Sequence, residues 1–411
     1  MTQRERTKLY VARCLLDGKM TISEAAEVLG LSERQVKRIK KGVKEFGEAF
    51  VIHKNRGRKP HHALTDELKN LVVEHRNSSN YSRANFSHFQ ELLAENEAIN
   101  LSKSSVYRIL KSNGFVSPKK HRKVKQHKRR NRKPQRGMMV IIDASPHTWF
   151  FNGLNCSLHG AVDDATGEIL ALFFAPNECL DGYFHVMRTV ISNYGIPLSV
   201  YADRHTIFRS PKTAKLSLED ELNGKMTNTT QFGRAMAELG ITLLFAKTPQ
   251  AKGRIERLWE TLQSRLPVEL NLAGITTMED ANAFLADFMN KFNAKFAVEP
   301  RVPEPAFRPL PKNLNLDYIL CLKDTRQLDL GAAFSFQNVY YRVVRNGKPV
   351  PVIPKAKITV LSSPLFGIKV VYSGSIYDVE AIDVLPKHVA KAPTAPKKQR
   401  CHTPAKNHPW R

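Results

Sequence analysis

The chain has 411 residues, more than one hydrophobic core usually organises, so we expect several domains in series. Its 64 Lys and Arg residues against 38 Asp and Glu residues leave a formal charge of +26, which favours a polyanionic partner such as nucleic acid. No stretch is apolar enough to predict a membrane span or a signal peptide. The five scattered cysteines argue against a disulfide framework and a cysteine zinc site, so a cytoplasmic protein is expected.

An all-α helix-turn-helix domain is predicted over residues 1–54. Thr21 with Glu24, and Ser32 with Gln35, have the spacing in which two side chains satisfy the unpaired N–H groups at a helix start. Apolar residues beside these caps are expected to form a shared core: Ala25, Val28, Leu29, Val36 and Ile39. The outer side of the second helix presents side chains suited to phosphates and base edges: Arg34, Gln35, Lys37 and Arg38.

A second helix-turn-helix domain is predicted over residues 60–116. Ser102 is placed to cap a helix whose Val106, Ile109 and Leu110 face inward. Its outward-facing candidates for DNA binding are Lys103, Ser104, Tyr107 and Arg108. For the first module the alternative is a helical hairpin with a solvated basic face. Residues 117–136 are almost entirely basic and are interpreted as a flexible linker that follows phosphates.

From residue 137 the composition changes to short apolar runs that alternate with amphipathic stretches. Strands are predicted at 138–142, 156–162, 168–174, 198–202 and 242–246, and helices at 181–194, 229–239, 249–266 and 277–297. Three antiparallel strands followed by alternating helices and strands predict an α/β domain, with one mixed sheet flanked by helices, over residues 137–310. Residues 315–386 alternate apolar and polar residues around turns, which suggests a small β-barrel, and 387–411 form a basic, disordered tail.

Three acidic residues of the α/β domain are candidate metal ligands. Asp143 and Asp203 each follow a predicted strand, and Glu256 flanks the apolar stripe of the next helix. Carboxylates that converge repel one another unless cations hold them, and hard oxygen ligands favour Mg²⁺ or Mn²⁺. Two such ions would activate a water or a DNA 3′-hydroxyl for phosphodiester displacement. Taken singly, an aspartate at the end of a strand is more often a turn or helix-cap residue than a metal ligand.

Basic residues surround Glu256 in the sequence. Lys252, Arg254 and Arg257 are candidates for holding DNA phosphates beside the carboxylates. The alternative is that each belongs to a solvated helix face.

Residues 137–310 resemble the DDE catalytic core of insertion-sequence transposases and retroviral integrases, most closely that of the ISNCY-type transposases. The motifs that carry the resemblance are Val140-Ile-Ile-Asp143-Ala-Ser, Ser199-Val-Tyr-Ala-Asp203-Arg-His and Thr248-Pro-Gln-Ala-Lys-Gly-Arg-Ile-Glu256-Arg-Leu-Trp. The resemblance implies a ribonuclease-H-like fold and a transposase that cleaves element ends and transfers strands with Mg²⁺ or Mn²⁺ at Asp143, Asp203 and Glu256. Its implied partners are terminal-repeat and target DNA and further copies of the chain in a synaptic complex, at the nucleoid of a bacterial cytoplasm.

Two departures from the family accompany the resemblance. The stretch between Asp203 and Glu256 is longer than in compact integrase cores, and the excess is interpreted as a surface insertion over 209–229. The chain also lacks the His/Cys zinc-binding N-terminal domain of retroviral integrases.

Two other functions stay open at this point. Another ribonuclease-H-fold nuclease is one, although a proofreading-type exonuclease would need an Asp-x-Glu pair and position 145 is Ser. A hybrid-cleaving ribonuclease would not need two helix-turn-helix modules. The other is a sequence-specific DNA-binding protein with an inactive core, which predicts a broken acidic triad.

Overall fold

The computed structural model describes residues 1–53, 55–57, 63–118, 131–210, 229–246 and 253–382. The chain divides into two compact units, Met1–His75 and Arg76–Arg411. Among the described helices, none combines the length and the apolar character that crossing a membrane requires.

The first unit is helical. Its helices are α1 (Gln3–Leu16), α2 (Ile22–Leu29) and α3 (Glu33–Phe46), and α4 (Asp66–Asn77) begins within it. Both predicted capping boxes are confirmed: Thr21 and Ser32 each accept a backbone N–H, and Glu24 and Gln35 each accept the N–H of the cap residue. Gly30 ends α2 in the left-handed conformation, with φ of 60°, which allows the tight turn before α3.

The core of this unit is close to the prediction but not identical. Ala25 and Val36 are fully buried, and Leu29 packs against them. Val28 was expected in the same core, yet it is 57% exposed, so that prediction is wrong. The apolar stripe of α2 runs instead through Ile22, Ala25, Ala26 and Leu29, and position 28 lies to one side of it.

The second unit begins with a helical module. It contains α5 (Phe86–Asn96), capped by Asn85, and α6 (Lys103–Ser112), capped by Ser102, whose hydroxyl accepts the N–H of Ser105 at 3.2 Å. The three residues predicted to face inward from α6 are all buried: Val106, Ile109 and Leu110. The Tyr107 and Phe86 rings form a T-shaped pair, with centroids 5.8 Å apart, so α6 packs on α5.

A five-stranded mixed sheet organises the middle of the second unit. Its strands are β1 (Val140–Thr148), β2 (Asn155–Asp163), β3 (Ile169–Ala175), β4 (Ser199–Ala202) and β5 (Thr242–Phe245). The spatial order is β3-β2-β1-β4-β5, in which β1, β2 and β3 are antiparallel and β4 and β5 run parallel to β1. The predicted mixed sheet is therefore present.

Helices cover both faces of this sheet. They are α7 (Leu180–Tyr194), α8 (Gln231–Glu238), α9 (Gly253–Leu272) and α10 (Met278–Phe296). Val140 and Ile142 point into a core formed with α7 and α8, whereas Ile141, between them, points into a core formed with α9 and α10. This alternation decides which helices each side chain of β1 meets.

The first strand is longer than predicted. It was expected to end at residue 142, with Asp143 at its tip, but β1 continues to Thr148. The reason is its hairpin with β2, which pairs with the whole of β1 out to Thr148 opposite Asn155. Asp143 accordingly lies within β1, just beyond the part that also pairs with β4.

A second sheet follows at the C-terminal side. Its strands are β6 (Leu322–Gln327), β7 (Ala333–Phe336), β8 (Val339–Arg345), β9 (Lys348–Pro349), β10 (Lys357–Ser363), β11 (Gly367–Tyr372) and β12 (Ser375–Ile382). The order is β6-β10-β11-β12-β8-β7, with β9 paired to β8. Every pairing is antiparallel, and the small barrel expected here stays a prediction.

Residues 131–136, assigned to the linker by composition, contact the core. Arg136 makes two hydrogen bonds of 2.7 Å to Glu168, and the N–H of Lys133 donates to Asp164 at 2.9 Å. Three predicted segments lie outside the described residues: most of the basic linker, most of the 209–229 insertion and the basic tail.

Candidate active site

Asp143 and Asp203 are brought side by side by the parallel pairing of their strands. Val140 lies opposite Val200, and Ile141 lies opposite Tyr201. When this register is continued by two residues, Asp143 is opposite Asp203, which directly follows β4. Both side chains are partly exposed. The two predicted aspartates therefore meet at neighbouring positions of the sheet.

The same two positions share one face of the sheet. Side chains alternate along a strand, so Asp143 points to the same side as Ile141, and Asp203 to the same side as Tyr201. Ile141 and Tyr201 both belong to the core formed with α9 and α10. The aspartates thus face the layer that contains Glu256.

A hydrogen bond joins that helix to the first aspartate. The indole N–H of Trp259 donates to Oδ2 of Asp143 at 3.1 Å. Glu256 precedes Trp259 by three residues, which places both on one side of α9 in successive turns. Trp259 belongs to the apolar stripe that Glu256 flanks, and it is the last residue of the third motif that carries the family resemblance. Its spacing from Glu256 is the signal that could have identified it as part of the site.

The indole fits because β2 has a glycine at this point. Gly160 is the register partner of Asp143. A Cβ added to Gly160 would lie 2.8 Å from Cη2 of Trp259 and 3.1 Å from Cδ2 of Leu172, both closer than ordinary contact. The absent side chain leaves room for the ring beside the Asp143 carboxylate.

The third acid does not complete a ligand group in this structure. Glu256 is exposed, and among the described residues no three His, Cys, Asp or Glu side chains lie together closely enough to hold a metal ion. The structure thus brings Asp143 and Asp203 together and places Glu256 on the facing helix. The residues just before that helix, 247–252, lie outside the described part of the chain.

Asp203 also has a local role of the kind considered for a single strand-end acid. Its Oδ1 accepts the backbone N–H of His205 at 2.8 Å, which stabilises the turn after β4. Nδ1 of His205 in turn accepts the N–H of Ile207 at 3.4 Å. His205 is thereby held in local hydrogen bonding.

A buried tyrosine of α7, Tyr183, lies next to the aspartates. The Tyr183 hydroxyl donates to Oε1 of Glu178 at 2.6 Å, and burial, then Glu178 and the Asp143 and Asp203 charges, raise the Tyr183 pKa. Tyr183 therefore stays protonated and donates its hydrogen bond over the physiological range. The sequence contained no signal for this residue beyond its apolar spacing.

His159 lies beneath that tyrosine and stays neutral. Its ring meets Tyr183 edge-on, with centroids 4.9 Å apart, and its Nε2 accepts the N–H of Cys179 at 3.1 Å. Burial lowers the His159 pKa to about 4, against the opposing effect of nearby backbone hydrogen bonds. An imidazole that is fully buried and neutral supports the sheet here and is not a proton acceptor for a substrate.

The three basic residues proposed around Glu256 have different placements. Arg254 forms an ion pair with Asp164, whose carboxylate is fully buried in the turn between β2 and β3. Arg257 is exposed next to Glu256, and Lys252 lies outside the described residues. Arg254 therefore ties the first turn of α9 to the sheet, whereas Arg257 is open to a ligand.

The acids of that turn, Asp163 and Asp164, have structural roles. One oxygen of Asp163 accepts the N–H groups of Ala165 and Thr166, each at 2.9 Å, and the other accepts the N–H of Gly137 at 2.8 Å. Their full burial beside backbone donors explains why acids stand at this turn.

The candidate DNA-binding residues of α3 and α6 are all exposed: Arg34, Gln35, Lys37, Arg38, Lys103, Ser104, Tyr107 and Arg108. The Gln35 side chain is partly used within the protein, because its oxygen accepts the N–H of Ser32 at 3.3 Å in the capping box. Lys37 lies 3.7 Å from Glu33 in an exposed pair of the kind that contributes little energy and leaves the lysine available.

Comparisons with known proteins identify similar chains. Residues 7–60 match a family model described as a helix-turn-helix domain. The transposase for insertion sequence IS1202 of Streptococcus pneumoniae is 35% identical over 442 residues, covering 99% of this chain and 93% of that protein. The y4bF protein of Sinorhizobium fredii, which also has a transposase name, is 36% identical over 346 residues, covering 82% of this chain and 72% of its own length.

Similarity to a solved structure is much weaker. A chain in the cryo-EM structure of the simian T-cell lymphotropic virus intasome in complex with PP2A regulatory subunit B56 gamma matches 78% of this chain over its full length. Its identity is 14% and its TM-score is 0.31.

Proposed function

This chain belongs to the insertion-sequence transposases, and from that premise we propose that it cuts and rejoins DNA at the ends of its element by metal-dependent chemistry. The catalytic domain would be the five-stranded sheet with its four helices, in a ribonuclease-H-like arrangement. Support for that fold comes from the order β3-β2-β1-β4-β5, with three antiparallel strands followed by two parallel ones. The ISNCY subtype is part of the proposal.

One observation carries the proposal. Asp143 and Asp203 occupy neighbouring positions on the sheet face that α9 covers, and Trp259 of α9 donates to Asp143 at 3.1 Å. Two carboxylates so placed, with a third one helical turn from the contact, are what phosphodiester chemistry with divalent ions requires.

The donor set fits hard divalent cations. Asp143, Asp203 and Glu256 offer only carboxylate oxygens, the ligands that Mg²⁺ and Mn²⁺ prefer. Two ions bound there would lower the pKa of an attacking water or 3′-hydroxyl and stabilise the leaving oxygen. Because the three acids are not yet one group, Glu256 would join the aspartates only when metal and DNA bind.

Residues of the chain itself would position the DNA. Arg257, exposed beside Glu256, would hold a phosphate of the cleaved strand, and Lys252, which precedes α9 in the sequence, would do the same. The Trp259 indole orients the Asp143 carboxylate through its hydrogen bond. Tyr183 keeps its proton and closes the α7 side of the site with Glu178.

Recognition of the element ends would belong to the helical modules. The helix-turn-helix domain exposes basic residues on α3, and α6 exposes Lys103 and Arg108. We propose terminal-repeat DNA as their ligand and target DNA as the second substrate of the catalytic domain. Joining requires two ends in one complex, so several copies of the chain would assemble, at the nucleoid of a bacterial cytoplasm.

The test is a cleavage and strand-transfer assay on labelled DNA that contains the element's ends, with Mg²⁺ or Mn²⁺. We expect Asp143→Asn, Asp203→Asn and Glu256→Gln each to bind the ends like the wild type and to lose cleavage. Glu260→Gln, at an exposed acid one turn further along α9, is the matched control and should cut normally. Robust joining by any of the three variants would remove that residue from the site, and an inactive wild type would favour a DNA-binding protein with an inert core.

A further inference from the structure

A partly buried ionic cluster fastens the helical module of α5 and α6 to the proposed catalytic domain. At its centre, the guanidinium of Arg265 on α9 makes two hydrogen bonds to the Glu91 carboxylate on α5, of 2.6 and 3.1 Å. The amine of Lys295 on α10 lies 2.5 Å from the same carboxylate. Only 19% of the Glu91 side chain and 12% of the Arg265 side chain are exposed. Three helices therefore meet at one acid.

A second set of contacts extends the cluster along α5. Nε2 of His88, a residue that is 1% exposed, lies 2.9 Å from Oε1 of Glu269 on α9. The Lys291 amine bridges Glu95, at 2.6 Å, and Glu269, at 3.5 Å. Nδ2 of Asn85, the cap residue of α5, donates to the Ser264 hydroxyl at 2.7 Å. Asn85, His88 and Glu91 thus all contact one short stretch of α9, from Ser264 to Glu269.

The protonation of the cluster agrees with a tightly held interface. Burial alone would raise the pKa of Glu91, but the hydrogen bonds from Arg265 and Lys295 outweigh it and lower that pKa to about 2. Burial would likewise raise the pKa of Glu269, but the hydrogen bond with His88 outweighs burial. The pKa of Glu269 is therefore lowered. Exposed ion pairs contribute little to stability. Separating a shielded bidentate pair is costly, because it would leave a charge that is neither paired nor solvated.

The helix that receives α5 is also the helix of the active site. Glu256 and Trp259 lie in the first turns of α9, and Ser264 and Arg265 follow about two turns later. The first residue of α5, Phe86, also contacts Tyr107 of α6. An unbroken series of packed helices therefore joins the exposed face of α6 to the helix that contains Glu256. A module tethered only through a linker would have no need of such an interface.

We propose that the docking cluster, defined as Glu91, Arg265 and Lys295, fixes the distance along the DNA between the sequence bound by α6 and the phosphodiester that is cut. This inference rests on the proposed function and deepens it. Glu91 and Arg265 are positioning residues, which act through α6 and α9 and need not touch DNA. Their role is to set which bond of a bound end reaches the carboxylates.

The experiment maps cleavage at nucleotide resolution on labelled element ends. Glu91→Arg places a third positive charge against Arg265 and Lys295, and Asp287→Arg, at an exposed position of α10, is the control with the same change in charge. A displacement of about an ångström can cost roughly 100-fold in rate, so we expect that loss at the wild-type bond, with cuts spread over neighbouring bonds. End binding by Glu91→Arg should equal that of Asp287→Arg. Glu91→Gln is the milder variant if Glu91→Arg does not fold.

A cross-linking arm tests the same idea without removing a charge. Asn85→Cys with Ser264→Cys, joined by a short thiol-reactive linker, holds the module docked throughout the reaction. We expect the cross-linked protein to cut at the wild-type bond. Loss of cleavage on cross-linking would overturn the proposal, since the module would have to leave α9 for the reaction to proceed.

The outcomes separate this proposal from the proposed function. A wild type that binds ends but never cuts them contradicts the proposed function. A wild type that cuts at one bond, with Glu91→Arg and Glu91→Gln cutting at that same bond at unchanged rates, overturns the docking proposal alone.

Discussion

Gly160→Ala should disturb the candidate active site without touching any candidate ligand. The new Cβ would lie 2.8 Å from Cη2 of Trp259 and 3.1 Å from Cδ2 of Leu172. Ordinary carbon contacts begin near 3.5 Å, so the indole must retreat by roughly 0.7 Å. A retreat of that size would stretch the 3.1 Å bond from Trp259 to Asp143 beyond effective hydrogen-bond length.

Two costs follow from that displacement. Overpacking a filled core costs about 1 to 3 kcal/mol, from which alanine's advantage over glycine in a strand removes up to about 1 kcal/mol. A hydrogen bond to a charged group is worth about 1.5 to 3 kcal/mol, or roughly 10- to 150-fold in rate if it is fully expressed in the transition state. We therefore expect a modest loss of unfolding free energy together with a clear loss of cleavage rate.

The assay pairs urea unfolding with single-turnover cleavage of a labelled element end. Gly253→Ala is the control, because a Cβ at that helical position meets nothing within 4 Å and should leave stability equal or slightly higher. Wild-type stability and wild-type cleavage in Gly160→Ala would refute the reasoning, since the ring would then have space to spare beside Asp143.

Two further predictions concern stability. The Glu91 carboxylate has its pKa lowered from 4.5 to about 2 in the folded protein, so its contribution of about 3 kcal/mol is complete above pH 4.5 and is lost as the pH falls toward 2. The gap in unfolding free energy between wild type and Glu91→Gln should shrink over that range, and a constant gap in urea titrations would contradict this. Ser32→Ala should destabilise the start of α3 by about 1 kcal/mol, seen as faster amide exchange, whereas Ser32→Asn should preserve the cap. Equal exchange in both variants would count against a capping role.

Much of the fold followed from local patterns. The caps at Thr21, Ser32 and Ser102 were predictable because a hydroxyl before an apolar stripe satisfies the first N–H groups of a helix wherever the helix later packs. Strand positions in the mixed sheet were predicted to within a few residues at most ends. The end of β1 was not, since its extension depends on pairing with β2, which is a property of two segments together.

The candidate site was predictable in its aspartates and less so in its surroundings. Adjacent placement of Asp143 and Asp203 follows from the parallel pairing of β1 with β4, because each aspartate lies two residues beyond a paired position. The bond from Trp259 to Asp143, the space at Gly160 and the pairing of Arg254 with Asp164 depend on how α9 lies across the sheet. No periodicity encodes that angle, because it is set by side-chain packing between distant segments.

α9 contains both a candidate metal ligand, Glu256, and a residue of the docking cluster, Arg265, and this constrains how its sequence can change. Glu256 near its start and Arg265 further along must face different partners at the same time, and each added residue would turn one relative to the other by about 100°. Substitutions between them can be absorbed by local repacking, but an insertion or deletion of a single codon would misalign the acid or the docked module. Among diverging copies of this element, length should vary in the loops of the proposed catalytic domain and stay constant from position 256 to position 265.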